Sequence, residues 1–144
     1  APYREAIDRC FSAVRVEDIV ARLEALEGEH RDWAQRVAAD LKRCSPLSLK
    51  ITHRHIREAQ ALDLRQTLQV DYRLAVRILE GDGVGGGDSY EGVRAALIDK
   101  DGAPRWAPQR LEDVSEAMLD AYFAPLGAGE LVLPTREEMQ AARA

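Results

Sequence analysis

Residues 88–106 read D-S-Y-E-G-V-R-A-A-L-I-D-K-D-G-A-P-R-W, and their local physics sets the fold class. Asp88 suits a helix cap and Glu91, three positions on, is placed to reach back to the cap's own N–H, which makes a capping box. Tyr90, Val93, Ala96 and Leu97 then recur at helical spacing, with Glu91, Arg94 and Asp99 turned to solvent or to partners. The spacing predicts a short amphipathic helix. Gly102 and Pro104 stop it, and Trp106 is left as a bulky anchor just past the turn.

Immediately upstream, Gly81-Asp82-Gly83-Val84-Gly85-Gly86-Gly87 reads as a flexible connector. The run matches G-x-G-x-x-G, but that pattern holds a pyrophosphate only when it follows a strand and opens a helix. Here it follows a helical pattern, so a hinge is the favoured reading. Before it, Asp63 and Gln66 form a second capping box ahead of Leu64, Leu68, Tyr72, Ala75 and Leu79. That stripe predicts about four turns, the longest helix and the core of the fold. Ser45-Pro46 marks another start, Ser at the cap and Pro where its missing N–H is no loss. The helix it opens carries Leu49, Thr52, Ile56 and Ala59 on one side.

Three shorter patterns precede Ser45. Ile7, Cys10, Phe11 and Val14 give one apolar edge; Val16, Ile19, Val20, Leu23 and Leu26 give a regular stripe ended by Gly28; Trp33, Val37, Leu41 and Cys44 share a third face. Downstream of Trp106, Asp113 and Glu116 offer a capping box before Val114, Met118, Leu119, Tyr122 and Phe123, and Pro134-Thr135 starts a last short helix. Only Leu131–Leu133 alternates with period two. The fold class is therefore all-α, an irregular array of about six to seven helices. Within one unit of 1–144 the expected parts are a helical lead-in (1–44), a central helix pair (45–80), a Gly-rich connector (81–88), and C-terminal helices with a tail (89–144).

At 144 residues, 46% hydrophobic and 31% charged, the chain is sized for one ordinary globular domain. A net charge of −5 argues against nucleic acid as the main partner, since phosphate binders carry a clustered basic surplus. The apolar runs are too short to span a bilayer, and the first residues lack the pattern of a signal peptide. A cytoplasmic or organelle-matrix setting is expected. The start at Ala1, without a methionine, leads us to expect a processed product or a piece of something longer. Cys10 and Cys44 are expected as buried free thiols.

Chemistry-bearing residues are sparse. His53 and His55, two apart on a helix, point to opposite sides and cannot face one metal ion; solvated or cap-like roles are favoured. Lys50, Arg54 and Arg57 make their helix locally basic, which fits either a solvated face or an acidic or phosphate-bearing partner. Cys44 would need exposure at a helix N-terminus to act as a nucleophile, and its stripe argues for burial. No catalytic and no metal residue is assigned.

Ser45-Pro46-Leu47-Ser48-Leu49-Lys50-Ile51-Thr52, Tyr90-Glu91-Gly92-Val93-Arg94-Ala95, Leu97-Ile98-Asp99-Lys100-Asp101 and Pro104-Arg105-Trp106 resemble the C-terminal part of the crotonase (enoyl-CoA hydratase/isomerase) superfamily. The E-G-V-R-A piece recurs across crotonases, and L-I-D-K-D with the following Trp resembles the 3-hydroxyisobutyryl-CoA hydrolase branch. The resemblance covers most of the chain, from Ile7 to Gly127. It implies a helical region that packs over a ββα spiral core, helps form the acyl-CoA pocket and contributes to homo-oligomer contacts. It also implies that the oxyanion hole and catalytic carboxylates lie in that core, which these residues do not include. By position Lys100 resembles a basic residue that in some crotonases lies near the CoA adenosine phosphate. The expected partners are thus the N-terminal core, a second copy and acyl-CoA as substrate, with no tightly bound cofactor, and the isolated chain is expected to be inactive. Thioester hydrolysis in valine breakdown is the leading expectation; an enoyl-CoA hydratase/isomerase and a stand-alone helical interaction module are the alternatives.

Overall fold

The computed structural model describes residues 2–80 and 87–142, and among them every regular element is helical. Eight α-helices follow one another: α1 (Arg4–Phe11), α2 (Val16–Glu24), α3 (Arg31–Arg43), α4 (Pro46–Ala59), α5 (Leu64–Glu80), α6 (Asp88–Val93), α7 (Glu116–Phe123) and α8 (Arg136–Ala141). A π-helical turn, Arg94–Ile98, extends α6, and short 3₁₀ turns lie at Leu111–Asp113 and Gly127–Gly129. Most of the Gly-rich connector, residues 81–86, lies outside the described residues.

The helices build two apolar clusters. The first joins α1, α2 and α3 through Ala6, Cys10, Ala13, Ile19, Leu23, Leu26, Ala34 and Ala38, with Trp33, Val37 and Leu41 packed against it. Alanines on α1 and α3 let these helices sit close to α2, which supplies the bulk. Tyr3 stacks on Trp33, 5.0 Å between ring centroids. Gly28 turns the chain between α2 and α3 at φ 88°, a left-handed conformation that costs glycine little. The second cluster joins Leu47 and Ile51 of α4, Leu74 of α5, Val114, and Leu119, Tyr122 and Phe123 of α7, flanked by Val70 and Ile78.

Start signals hold where they are local. Ser45 accepts from the Ser48 N–H at 3.0 Å with Pro46 at the first helical position. Asp63 and Gln66 form the reciprocal box at the head of α5, and Thr135 with Glu138 forms one at α8. Two expected boxes are corrected. Ser115, not Asp113, caps α7, accepting from the Met118 N–H, because Asp113 is drawn into a 3₁₀ turn and paired with Arg110. Asp88 lies inside α6 and is buried, its carboxylate engaged elsewhere in the fold.

The helix faces need more correction. On α5 the whole predicted stripe, Leu64, Leu68, Tyr72, Ala75 and Leu79, is exposed, and the opposite edge, Val70, Leu74 and Ile78, meets the core. On α4, Leu47 and Ile51 are buried while Ile56 is exposed, and on α1 the inward residues are Ala6 and Cys10 rather than Ile7 and Phe11. Tyr90, Val93, Ala96 and Leu97 also face outward; Ala95 is the buried residue of that segment. Each of these helices is apolar on two sides. Residue volume marks the larger side as core, yet this chain packs the side bearing small residues, as on α1, or a second aliphatic row, as on α4 and α5.

Candidate functional site

Lys100 sits where the π-helical turn ends, at φ 55°, with its side chain exposed. The chain reverses there because the carboxylates on either side are tied back to one guanidinium. Arg94 holds Asp99 at 2.6 Å and Asp101 at 2.7 Å, and grips Glu91 with two bonds, Nε at 2.8 Å and Nη2 at 2.7 Å. The Arg105 N–H donates to the same Glu91 carboxylate at 2.7 Å, and the Ala103 N–H donates to Asp101. Hydrogen bonding by Arg94, then by the Arg105 N–H, lowers the Glu91 pKa to about 2; Asp101 is lowered by the same guanidinium. Paired fork-to-carboxylate contacts of this kind fix geometry as well as charge. Lys100 forms no ion pair among the described residues, so its ammonium is left toward solvent.

Next to this loop, Trp106 is held in place by three contacts. Its Nε1–H donates to the Arg43 carbonyl at 2.9 Å. Its ring lies against Gly92, where a Cβ would approach the indole to 3.3 Å. The following Ala107 N–H donates to Asp88 Oδ1 at 2.9 Å, while the Ser45 hydroxyl donates to Asp88 Oδ2 at 2.5 Å. The predicted cap is thus a buried tie linking α4, α6 and the Trp106 segment. Trp106, Gly92, Ala95, Ala96, Gly102 and Pro104 line an open cleft of ≈ 610 Å³ with Lys42 and Arg43 at its rim.

A second cleft, ≈ 360 Å³, opens between the start of α2, α4 and the start of α7. The basic residues of α4 face it, and they are largely committed rather than solvated. Lys50 Nζ is 2.8 Å from Glu17 Oε1, with both side chains under 15% exposed, and donates to the Val114 carbonyl. Burial alone would raise the Glu17 pKa; Lys50, with Arg15, outweighs it and the net direction is down. Arg54 bridges Glu58 and Asp120, each at 2.7 Å, and lies 4.4 Å over the Phe123 ring. The histidines are not free in solvent either. His55 Nε2 meets Asp71 at 2.6 Å, tying α4 to α5, and His53 Nε2 is buried with no hydrogen-bond partner. No signal at sequence level marks His55–Asp71 or the Arg73–Glu130 pair at 2.8 Å, since each joins residues on different helices or loops.

Both cysteines are free, as expected, but Cys44 is exposed and only Cys10 is buried. The helix ends at Arg43 and Cys44 adopts an extended backbone, which lifts it off the stripe. Among the described residues no group of three or more His, Cys, Asp or Glu stands close enough to hold a metal, and no helix is long and apolar enough to cross a membrane.

A family model described as enoyl-CoA hydratase/isomerase matches residues 1–123. The small ribosomal subunit protein mS47 of Arabidopsis thaliana is 43% identical over 142 residues, covering 92% of this chain and 34% of that protein. The 3-hydroxyisobutyryl-CoA hydrolase 1 of the same plant is 39% identical over 139 residues, covering 95% and 36%. Among solved structures, an enoyl-CoA hydratase from Rhodobacter sphaeroides 2.4.1 superposes with a TM-score of 0.75 at 33% identity, over 91% of this chain and 36% of that one. The chain spans about a third of the length of the curated relatives it matches.

Proposed function

The chain belongs to the enoyl-CoA hydratase/isomerase family, and we propose that it forms the C-terminal helical region of a 3-hydroxyisobutyryl-CoA hydrolase-like protein. The intact protein cleaves a CoA thioester, and this region closes over the catalytic core and completes the CoA site. The observation that carries this reading is the apolar outer edge of α5 together with Tyr90, Val93, Leu97 and Ile98, all exposed in this chain. A row of large apolar side chains along a helix asks for a cover, and about two-thirds of the length of the relatives lies outside the matched part and could provide one. Lys100, fixed in place by the Arg94 cluster and without an ion pair among the described residues, is assigned to a phosphate of CoA, beside the Trp106 cleft. No residue here is assigned to bond making or breaking.

The test compares the longer protein with the 144-residue chain. The longer protein releases free CoA from 3-hydroxyisobutyryl-CoA, and the 144-residue chain alone does not. Hydration of crotonyl-CoA without thioester cleavage would turn the assignment to a hydratase, in line with the superposed Rhodobacter structure. A Lys100→Ala variant raises KM for acyl-CoA more than it lowers kcat; an unchanged KM removes Lys100 from the site. The similarity to the small ribosomal subunit protein mS47 of Arabidopsis thaliana supports a second reading in which the same region serves as an interaction module without catalysis. Retention of that surface in a longer protein with no acyl-CoA turnover would favour it.

A further inference from the structure

Resting on the assignment of Lys100 to a phosphate of CoA, we propose that Arg94 is a positioning residue for that lysine: its guanidinium shapes the turn at 99–103 so that the ammonium stands clear of the fold, and it touches no ligand itself. The backbone of Lys100 has a φ of 55°, in the left-handed region where a side chain with a Cβ is disfavoured and glycine is not. Gly102 adopts φ 61° in the same turn, so glycine fills one left-handed position there and lysine the other. Lys100 is exposed and makes no ion pair among the described residues, so no such pair offsets the strain. Residues held in this way persist where their surroundings over-determine them, and they cluster at ligand clamps. Arg94 does the holding. A guanidinium has five N–H donors, and here they make five bonds: Nε and Nη2 to Glu91, Nη1 to both Asp99 and Asp101, and Nη2 again to the Ala103 carbonyl at 3.3 Å. No donor is left for a ligand. Asp99 and Asp101 flank Lys100, so tying both to one nitrogen draws the chain into a loop with residue 100 at its tip. The Gly102 N–H closes the loop by donating to the Ala95 carbonyl at 3.1 Å. Charge alone does not account for this arrangement, since two carboxylates beside a lysine weaken its pull on an anion.

The same carboxylates supply the test, because charge and position pull in opposite directions. Asp101→Asn keeps Oδ1 for the Ala103 N–H, sets an amide N–H against Arg94 Nη1, and removes a negative charge next to Lys100. If charge were all that mattered, CoA would bind the longer protein about twofold more tightly; with the turn loosened, its Kd rises about threefold. Asp99→Asn moves it in the same direction. Lys100→Ala weakens CoA about tenfold, the loss of one charge-assisted contact, and Asp101→Asn adds nothing on that background. Lys100→Gly weakens CoA as much and raises the urea midpoint by roughly 0.3 M, because the left-handed position is relieved. Binding is read by calorimetry at constant ionic strength, with helical circular dichroism confirming that each variant is folded. If Lys100→Ala leaves the Kd unchanged, the assignment of Lys100 fails and the positioning role with it. If Lys100→Ala weakens binding while both aspartate variants bind CoA as tightly as the parent or more so, or weaken it equally without the lysine, Arg94 positions nothing and the assignment of Lys100 stands. A lower urea midpoint for Lys100→Gly would show that the lysine side chain serves the fold, and would overturn the positioning role as well.

Discussion

Leu68 and Leu74 lie on the same helix, six residues apart, and replacing each by alanine separates the inner from the outer edge of α5. Leu74 is 6% exposed in the second cluster and Leu68 is 43% exposed on the opposite side. Leu→Ala removes roughly 2.4 kcal/mol of apolar transfer, counted as three methylene equivalents at about 0.8 each. Leu74→Ala forfeits nearly all of it and leaves a closed void, so its cost is about 3 kcal/mol. Leu68→Ala forfeits just over half and leaves no void, about 1.3 kcal/mol. Helix propensity changes equally in both and cancels. In equilibrium urea unfolding with a slope of about 2 kcal/mol per molar, the midpoints differ by roughly 0.8 M. Equal midpoints would refute the assignment of inner and outer edges. In the longer protein Leu68→Ala costs about 3 kcal/mol as well, because a covering layer turns the outer edge into core. If its cost there stays at the isolated-chain value, α5 is not what the rest of the protein packs on.

Three further outcomes follow from other parts of the fold. Cys44, exposed, reacts with a thiol reagent in the native chain, while Cys10, fully buried and with its pKa raised chiefly by burial, reacts only on unfolding; one equivalent fast and one slow is the expected count. Asp88→Ala strands the Ser45 hydroxyl and the Ala107 N–H and destabilises by roughly 2 kcal/mol, with a red shift of Trp106 emission as the segment loosens; Asp88→Asn, which still accepts from Ala107, costs less. Acid unfolding has a defined window: Glu17, Glu91 and Glu130 all have pKa values below the ordinary 4.5 in the fold. Depressed carboxylates stabilise above that value, and the gain is lost as pH falls from 4.5 toward about 2, the range set by Glu91. Stability flat between pH 5 and pH 2.5 would contradict it.

The helices were legible in the sequence wherever the signal is local. Ser45-Pro46, Asp63 with Gln66, and Thr135 with Glu138 each satisfy their own end N–H groups within three residues, so no tertiary contact is needed to read them. Asp88 shows the limit. Its spacing to Glu91 is that of a cap, but Ser45, forty-three residues away, offers a better partner, and Glu91 is claimed by Arg94. The buried faces of α1, α4 and α5 are not legible in the sequence for one reason: a helix with two apolar edges has a period but no sign, and the period alone does not say which edge this chain covers. The same ambiguity hid the cleft, because Lys50, His53, Arg54 and Arg57 read as a surface until Glu17 and Asp120 arrive from other helices to take two of them.

The two apolar clusters differ in how much chain must be made before each can close. The first lies wholly within residues 6–41, so its helices can meet as neighbours while later residues are still being added. The second joins Leu47 and Ile51 to Leu119, Tyr122 and Phe123, and bringing such distant partners together is slow because the loop entropy is lost before the contacts are gained. Until α7 is made, the inner edge of α5 lacks the partners Leu119, Tyr122 and Phe123. Residues 81–115 are therefore added while the inner edge of α5, Val70, Leu74 and Ile78, still waits for its cover.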